Sequence, residues 1–166
     1  MEPTFTFSPA LSKRERYEQF LAEYAPFIEG EDDFISALAN TAAALREAFG
    51  FFWVGFYLAK DEDWLHLGPF QGSVACSRIK RGRGVCGTAW AEARTIIVPD
   101  VDAFPGHIAC SSLSRSEIVV PIIQNDHFIG VLDIDSDCLN DFDEDDRRGL
   151  ESIVTKLLAV TRLSII

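Results

Sequence analysis

The sequence has no long apolar run and no excess of positive charge. No window approaches the roughly 18 apolar residues that a transmembrane helix needs, and the first twenty residues lack the basic and apolar segments of a secretory signal. Its 15 basic residues are outnumbered by 26 acidic ones, giving a formal net charge of −11. Such a surface repels polyanions. We therefore expect a soluble, cytoplasmic protein with no membrane or nucleic-acid partner.

Three common site signatures are also missing. No Cys-x-x-Cys pair occurs, so a structural zinc site is disfavoured, since it would need widely spaced ligands such as Cys76, Cys86, His107 and Cys110. Residues 82–84 (Gly-Arg-Gly) lack the rest of a phosphate-binding glycine fingerprint. The acidic run at 141–146 lacks the glycine and the terminal glutamate of a calcium loop, and is instead typical of a helix start.

The length of 166 residues fits one domain over residues 1–166, with residues 1–11 expected as a flexible tail. Residues 12–24 have helical spacing of apolar residues behind a serine and a glutamate three positions later, which predicts a capped helix. A second helix is expected from about Asp33 to Phe49, ended by Gly50. A short helix is expected at 85–92, and an amphipathic helix after the acidic run near the end.

Strand-like segments fill the middle of the chain. Residues 51–60 and 63–70 predict a β-hairpin, residues 74–80 a third strand, and residues 95–101, 116–123 and 127–136 three more, the last two joined by a tight turn. This order of elements favours an α+β architecture, in which an antiparallel sheet of about six strands has the N- and C-terminal helices packed on one face.

Residues 100–116 have no apolar period and predict a loop of about 17 residues, a length that is usually functional. Cys110 lies near its middle, and Cys76 and Cys86 precede it. A thiolate is the reactive form of cysteine, and a second thiol within reach can trap a sulfenic acid formed on the first. The pattern therefore points to thiol redox chemistry.

Carboxylates follow the cysteines closely. Glu117 comes just after the loop, and Asp133 and Asp135 are two positions apart, so on a strand they face the same side while Leu132 and Ile134 face the other. Acidic groups beside a thiol need a purpose, such as holding a substrate amine or donating a proton. We expect a small, amino-acid-like substrate.

Five motifs in order resemble the free methionine-(R)-sulfoxide reductases, which are GAF-domain enzymes. They are Trp53–Tyr57 (WVGFY), Gly82–Ala89 (GRGVCGTA), Pro105–Cys110 (PGHIAC), Ser116–Ile122 (SEIVVPI) and Gly130–Ser136 (GVLDIDS). The resemblance extends from about Tyr17 to the last helix. It implies a GAF-type fold and the reduction of free L-methionine-(R)-sulfoxide to L-methionine.

The resemblance also implies roles for single residues. Cys110 would be the nucleophile, Cys86 the main resolving cysteine and Cys76 a further thiol that exchanges with them. The substrate pocket would be formed by Trp53, Glu117, Asp133 and Asp135. No metal or organic cofactor is implied, the oxidised cysteines would be recycled by thioredoxin or a similar dithiol, and a homodimer is favoured. Cys138 has no counterpart in the family pattern.

These residues suit the chemistry. Attack of a thiolate on a sulfoxide requires the oxygen to be protonated or strongly hydrogen-bonded, and Glu117 is the candidate donor because burial and neighbouring carboxylates would raise its pKa. Asp133 and Asp135 would bind the α-ammonium group of a free amino acid, and Trp53 would form an apolar wall. His107, three residues before Cys110, could instead activate a thiol or support the site indirectly.

Two other functions remain open at this level. A GAF module that binds a small ligand and signals to a partner would have the same fold. A redox sensor whose Cys86–Cys110 disulfide is the signal would form the bond without consuming any sulfoxide.

Overall fold

The computed structural model describes residues 3–161, which form four α-helices, six β-strands and one 3₁₀ helix. The helices are α1 (Lys13–Ile28), α2 (Phe34–Phe49), α3 (Gly84–Glu92) and α4 (Glu144–Val160). The strands are β1 (Trp53–Ala59), β2 (Trp64–Gln71), β3 (Arg78–Lys80), β4 (Ile96–Val98), β5 (Ser116–Gln124) and β6 (His127–Ser136). The 3₁₀ helix is Val101–Ala103.

Local sequence signals define the ends of the long helices. Ser12 caps α1 in a capping box with Glu15, and Gly50 ends α2 in the left-handed conformation at φ 67°. Asp143 caps α4 in a second capping box with Asp146, which confirms the role expected for the acidic run. The helix α1 continues past its expected end to Ile28, with Pro26 in its last turn.

The six strands form one antiparallel sheet in the order β3-β2-β1-β6-β5-β4. The tight turn between β5 and β6 consists of Asn125 and Asp126, both at positive φ. This turn fixes the register of the two strands, which pair from Gln124–His127 to Ser116–Ser136. The predicted α+β architecture is confirmed.

The two faces of the sheet bury different cores. Val54, Phe56, Ile118, Leu132 and Ile134 belong to the larger core, which they share with helices α1, α2 and α4. The alternate residues of the same strands face a smaller core under α3, with Trp53, Tyr57, Val119 and Val131 as members. The terminal helices therefore occupy one face and leave the other for α3 and the loops.

The N-terminal segment differs from the expected flexible tail over residues 1–11. Phe5 is only 2% exposed, and its ring centroid lies 5.2 Å from that of Phe20 and 5.6 Å from that of Phe27. Phe7 packs against Phe49. Phe5 and Phe7 therefore contribute to the core, which short-range sequence patterns did not indicate because the contacts are with distant helices. Residues 1 and 2 lie outside the described residues.

Two strands are shorter than expected. The third strand begins at Arg78, and the preceding residues 74–77 have no strand structure. The strand β4 is confined to Ile96–Val98. At the other end, the expected terminal helix is confirmed as α4, whereas residues 162–166 lie outside the described residues. Within residues 3–161 no helix has both the length and the apolar character needed to cross a bilayer.

The packing of the N-terminal segment can be tested by the substitution Phe5→Ala. We expect it to lower the free energy of unfolding by about 3 kcal/mol, because a buried phenylalanine is replaced by a cavity. Urea denaturation of both proteins measures this difference. The exposed neighbour substitution Thr6→Ala is the control and should change stability by less than about 0.5 kcal/mol. Equal stability of the two variants would contradict the packing of Phe5 in the core and favour the flexible tail expected from the sequence.

Candidate active site

Three carboxyl groups lie side by side on the central strands of the sheet. Asp133 and Asp135 are on β6, and Glu117 on β5 is the register partner of Asp135. On the other side of β6, Trp53 is paired with Asp135 and Gly55 with Asp133. The side chains of the three acids and of Trp53 project to the face opposite the terminal helices, where they line one pocket. The expected convergence of the three acids with Trp53 is thus present.

Burial raises the pKa of all three acids. Burial raises the pKa of Glu117 well above its usual range, and the adjacent Asp133 and Asp135 raise it further. Burial also raises the pKa of Asp133, to about 6, although hydrogen bonds from Glu117 and Cys86 oppose the shift. The pKa of Asp135 is raised by burial and by the charge of Asp133. A pocket of this kind holds both protonated and ionised carboxyl groups near neutral pH.

One carboxylate oxygen has no partner. Asp133 is 6% exposed, and its Oδ1 atom is buried and accepts no hydrogen bond within the part of the chain that the structure describes. Leaving such an atom without a donor is unfavourable in a folded protein. The pocket therefore offers an acceptor to a ligand that carries an N–H or O–H group.

Cys86 lies beneath the same pocket on α3. Its thiol is 2% exposed and lies 4.0 Å from Oε1 of Glu117, to which it donates a weak hydrogen bond. Burial and the charges of Asp133 and Glu117 raise the pKa of Cys86. This cysteine is therefore held as a thiol and is not poised as a thiolate.

Two aromatic residues of β1 form the wall of the pocket. Trp53 donates from Nε1 to the carbonyl oxygen of Ser73 at 2.9 Å, and Tyr57 donates from its hydroxyl group to the carbonyl oxygen of Cys76 at 3.0 Å. A side chain at Gly72, where φ is +140°, would collide with the Trp53 ring. These contacts fix residues 72–77 across the pocket, which explains why that segment is not a strand.

Cys110 forms a disulfide with Cys76 in this structure. The S–S distance is 2.00 Å and the Cα atoms are 5.5 Å apart. Cys86 and Cys138 are free thiols, the first buried and the second exposed. The expected principal pair, Cys86 with Cys110, is therefore not the one present. Cys86 is directed toward the carboxyl groups, whereas residues 72–77 carry Cys76 to the loop of Cys110.

His107 is placed beside the acids. Its Nε2 atom lies 3.7 Å from Oε2 of Glu117, and burial lowers its pKa. His107 forms no hydrogen bond to a cysteine sulfur among the described residues, so the alternative in which His107 activates a thiol has no support in this geometry. It instead supports the site indirectly by flanking Glu117.

The sequence did not identify three polar contributors to the pocket. They are Tyr57, the backbone of Ser73, and Ser114. A hydrogen bond from Ser114 partly opposes the rise that burial causes in the pKa of Asp135. Tyr57 was detectable in principle, because it is four residues from Trp53 and a strand directs both to the same side. The other two depend on how loops fold over the sheet, which local patterns do not reveal.

The site has one set of groups that could hold a metal. The ligand atoms of Cys86, Glu117 and Asp133 all lie within 4.8 Å of one another. Cys76 and Cys110, two of the widely spaced residues that a zinc site would need, are bonded to each other. Attack of a thiol on a sulfoxide needs no metal.

Comparisons with known proteins agree with this fold and pocket. Residues 33–160 match the GAF domain family. The free methionine-R-sulfoxide reductase of Escherichia coli strain K12 is 46% identical over 148 residues, covering 89% of each chain. The chain belongs to the GAF-domain family of free methionine-R-sulfoxide reductases.

Two further similarities cover nearly the whole GAF domain. GAF domain-containing protein A of Dictyostelium discoideum is 58% identical over 147 residues, covering 89% of this chain and 92% of its own. The X-ray structure of free methionine-R-sulfoxide reductase from Neisseria meningitidis in complex with its substrate superposes with a TM-score of 0.89 at 52% identity, covering 95% of this chain and 93% of that one. The fold inferred from the sequence resemblance is confirmed.

The raised pKa of Asp133 predicts how stability depends on pH. An acid whose pKa is raised on folding binds its proton more tightly in the folded state, so its contribution to stability is present below the unfolded pKa of about 4. This contribution is lost as the pH rises through about 6. Asp133→Asn should therefore raise the free energy of unfolding at pH 8 by about 1–3 kcal/mol and leave it little changed at pH 4.

Urea denaturation at the two pH values measures this difference. The matched control is Asp137→Asn, which neutralises an exposed aspartate of the same segment and should show no such pH-dependent gain. An equal change in the free energy of unfolding for the two variants would contradict the raised pKa of the buried Asp133 carboxyl group.

Proposed function

We propose that this protein is an oxidoreductase that reduces free L-methionine-(R)-sulfoxide to L-methionine. The observation that carries the proposal is a single pocket lined by Cys110, whose disulfide partner is Cys76, and by the largely buried acids Glu117, Asp133 and Asp135. Relatives and solved structures with the printed name of free methionine-R-sulfoxide reductase support the same activity.

The pocket accounts for selection of a free amino acid. An α-ammonium group would donate to the unpartnered Oδ1 atom of Asp133 and to Asp135 beside it, and a positive charge at that point would lower the pKa of both acids. A peptide-bound methionine has no such group and would leave these oxygens without a donor. Trp53 and Tyr57 would pack against the thioether end of the substrate.

The first chemical step follows from the protonation of Glu117. After reduction of the disulfide, the Cys110 thiolate attacks the sulfoxide sulfur while the Glu117 proton moves to the sulfoxide oxygen. The oxygen then passes to the Cys110 sulfur as the substrate S–O bond breaks. Methionine is released, Cys110 becomes a sulfenic acid, and Glu117 regains a proton from solvent.

The second step restores a disulfide. A neighbouring thiol attacks the sulfenic sulfur, the new S–S bond forms, and the oxygen leaves as water. We assign this resolving role to Cys76, because it is the cysteine bonded to Cys110 in the structure. Cys86, which the family resemblance favours as the main resolving residue, would act as a second thiol that exchanges with the pair.

An external dithiol of the thioredoxin type would reduce the disulfide by thiol exchange. Cys110 is exposed and Cys76 partly so, which leaves the bond accessible to a protein reductant. A homodimer and a cytoplasmic location remain predictions of the family resemblance.

The activity can be tested with both epimers of free methionine sulfoxide. The purified protein is incubated with the mixture and dithiothreitol, and each epimer is followed by chiral separation. We expect loss of the R epimer alone, and Cys110→Ser should abolish it by removing the nucleophile. If folded, reduced protein consumes neither epimer, the protein is a ligand or redox sensor.

Single-turnover kinetics assign the resolving cysteine. With thioredoxin as reductant, Cys76→Ser should form about one methionine per site and then stall, whereas Cys86→Ser should keep turning over. Rapid quench followed by quantification of methionine separates the two behaviours. The reverse result, in which only Cys86→Ser stalls, would return the resolving role to Cys86.

A further inference from the structure

The charges of the chain are strongly segregated. No aspartate or glutamate occurs between Asp63 and Glu92, although the whole chain has 26. This segment has four basic residues, so its formal charge is +4, and the other 138 residues then have a charge of −15 to give the total of −11. The cationic residues lie within six positions, and we name them the basic stripe: Arg78, Lys80, Arg81 and Arg83.

All four side chains of the basic stripe are exposed, and none forms an ion pair with any of the described residues. Aromatic rings hold three of them in place. Arg78 and Lys80 lie over the ring of Trp64, at 4.5 and 5.9 Å from its centroid, and Arg81 lies 5.3 Å from the centroid of a Trp90 ring. Such contacts orient the cations while leaving their charge available to a partner.

The basic stripe borders the disulfide on two sides. Arg78 is two residues after Cys76. At the other end Arg83 precedes Gly84, whose backbone lies against Ile108, so that a Cβ atom there would come within 3.1 Å of the Ile108 side chain. Ile108 is two residues before Cys110. The cationic groups thus flank both chain segments that the disulfide joins.

Exposed apolar side chains surround the same bond. Val74 is 88% exposed, Leu113 62% and Ile108 37%. Val74 and Ile108 each precede a cysteine of the disulfide by two residues. An accessible disulfide with an apolar surround and a charged border has the composition of a protein docking surface.

The acidic turn at 61–63 lies near one end of the stripe, because the backbone N–H of Arg81 donates to the carbonyl oxygen of Asp63. This turn offsets part of the charge around Lys80 and Arg81. Arg78 and Arg83 are the members that adjoin the two chain segments of the disulfide, Arg78 through Cys76 and Arg83 through Gly84 and Ile108, so we expect them to dominate any attraction exerted there.

We propose that the basic stripe, together with Val74, Ile108 and Leu113, is the docking surface for an acidic protein reductant with a surface dithiol. The inference rests on the proposed function, since it identifies the partner that reduces this disulfide. A partner of negative charge would be repelled by the rest of this anionic protein, and the stripe provides local attraction where reduction takes place.

The chemistry at this surface is thiol–disulfide exchange. A partner thiolate attacks one sulfur of the Cys76–Cys110 bond, which breaks as a bond between the two proteins forms. The second partner thiol then attacks the partner's sulfur in that bond and releases this protein's cysteine as a thiolate, which takes up a proton. The partner leaves as a disulfide, and Cys76 and Cys110 are both reduced to thiols.

Charge reversal tests the surface without touching the pocket. The double variant R78E/R83E is compared with wild type in two assays, one with dithiothreitol and one with a thioredoxin of net negative charge kept reduced by its reductase and NADPH. We expect unchanged turnover with dithiothreitol, which is small and uncharged, and a rise of about 5- to 20-fold in KM for thioredoxin.

The matched control is R14E/R148E, which reverses two exposed arginines on the terminal helices. It should leave both assays unchanged. The salt dependence of kcat/KM for thioredoxin is a second readout, because local attraction by the stripe and repulsion by the overall negative charge predict opposite changes. If the stripe attracts the partner, kcat/KM for thioredoxin falls as salt is added to the wild type. If only the overall negative charge acts, screening makes kcat/KM rise.

The outcomes separate this inference from the proposed function. Absence of turnover with dithiothreitol in the wild type would contradict the proposed function itself. Normal dithiothreitol turnover with an unchanged KM for thioredoxin in R78E/R83E would overturn the docking surface alone. A change in mass by light scattering on charge reversal would identify the stripe as an interface between copies of this chain, and would also overturn it.

Discussion

The structure depends on burying three carboxyl groups next to one another on its central strands. An ionised carboxylate in such surroundings is strongly unfavourable, so the group shifts its pKa and keeps its proton. The folded chain reduces this cost by leaving Glu117 and its neighbours partly protonated. In the proposed mechanism, the same condition provides the proton that sulfoxide reduction consumes. Stability and chemistry therefore act on one feature in opposite directions, since a neutral amide would be better for folding and useless as an acid.

The period of two along a β-strand makes this arrangement compatible with a stable core. On β6, Leu132 and Ile134 are fully buried against the helices, and Asp133 and Asp135 face the pocket from the positions between and after them. A slip of one residue in register would exchange the two sets and place acids in the apolar core. The two-residue turn at Asn125 and Asp126 prevents such a slip by joining β5 and β6 directly. The catalytic face is thus secured by the packing of the opposite face.

Features encoded within a few residues were predictable from the sequence. The capping boxes at Ser12 and Asp143, the stop at Gly50 and the alternation of Asp133 and Asp135 each depend on neighbours in the chain. Features set by contacts with distant residues were not predictable from the sequence. The N-terminal segment folds because Phe5 meets helix α1, and residues 74–77 leave the strand conformation because side chains of β1 bind their carbonyl groups. The disulfide partner of Cys110 follows from that second effect.

The placement of the cysteines divides the site into an inner acid layer and an outer redox layer. Cys86 lies in the inner layer, where burial and nearby acids oppose formation of its thiolate. Cys76 lies at the rim, where Tyr57 binds its carbonyl oxygen and the nearest charged side chain along the chain is the cation of Arg78. Because disulfide exchange proceeds through thiolates, the rim is the better place for a bond that the proposed cycle makes and reduces at every turnover. In that cycle an external dithiol would reach the disulfide without entering the acid layer, so the carboxyl groups would remain shielded from solvent during the sulfoxide step.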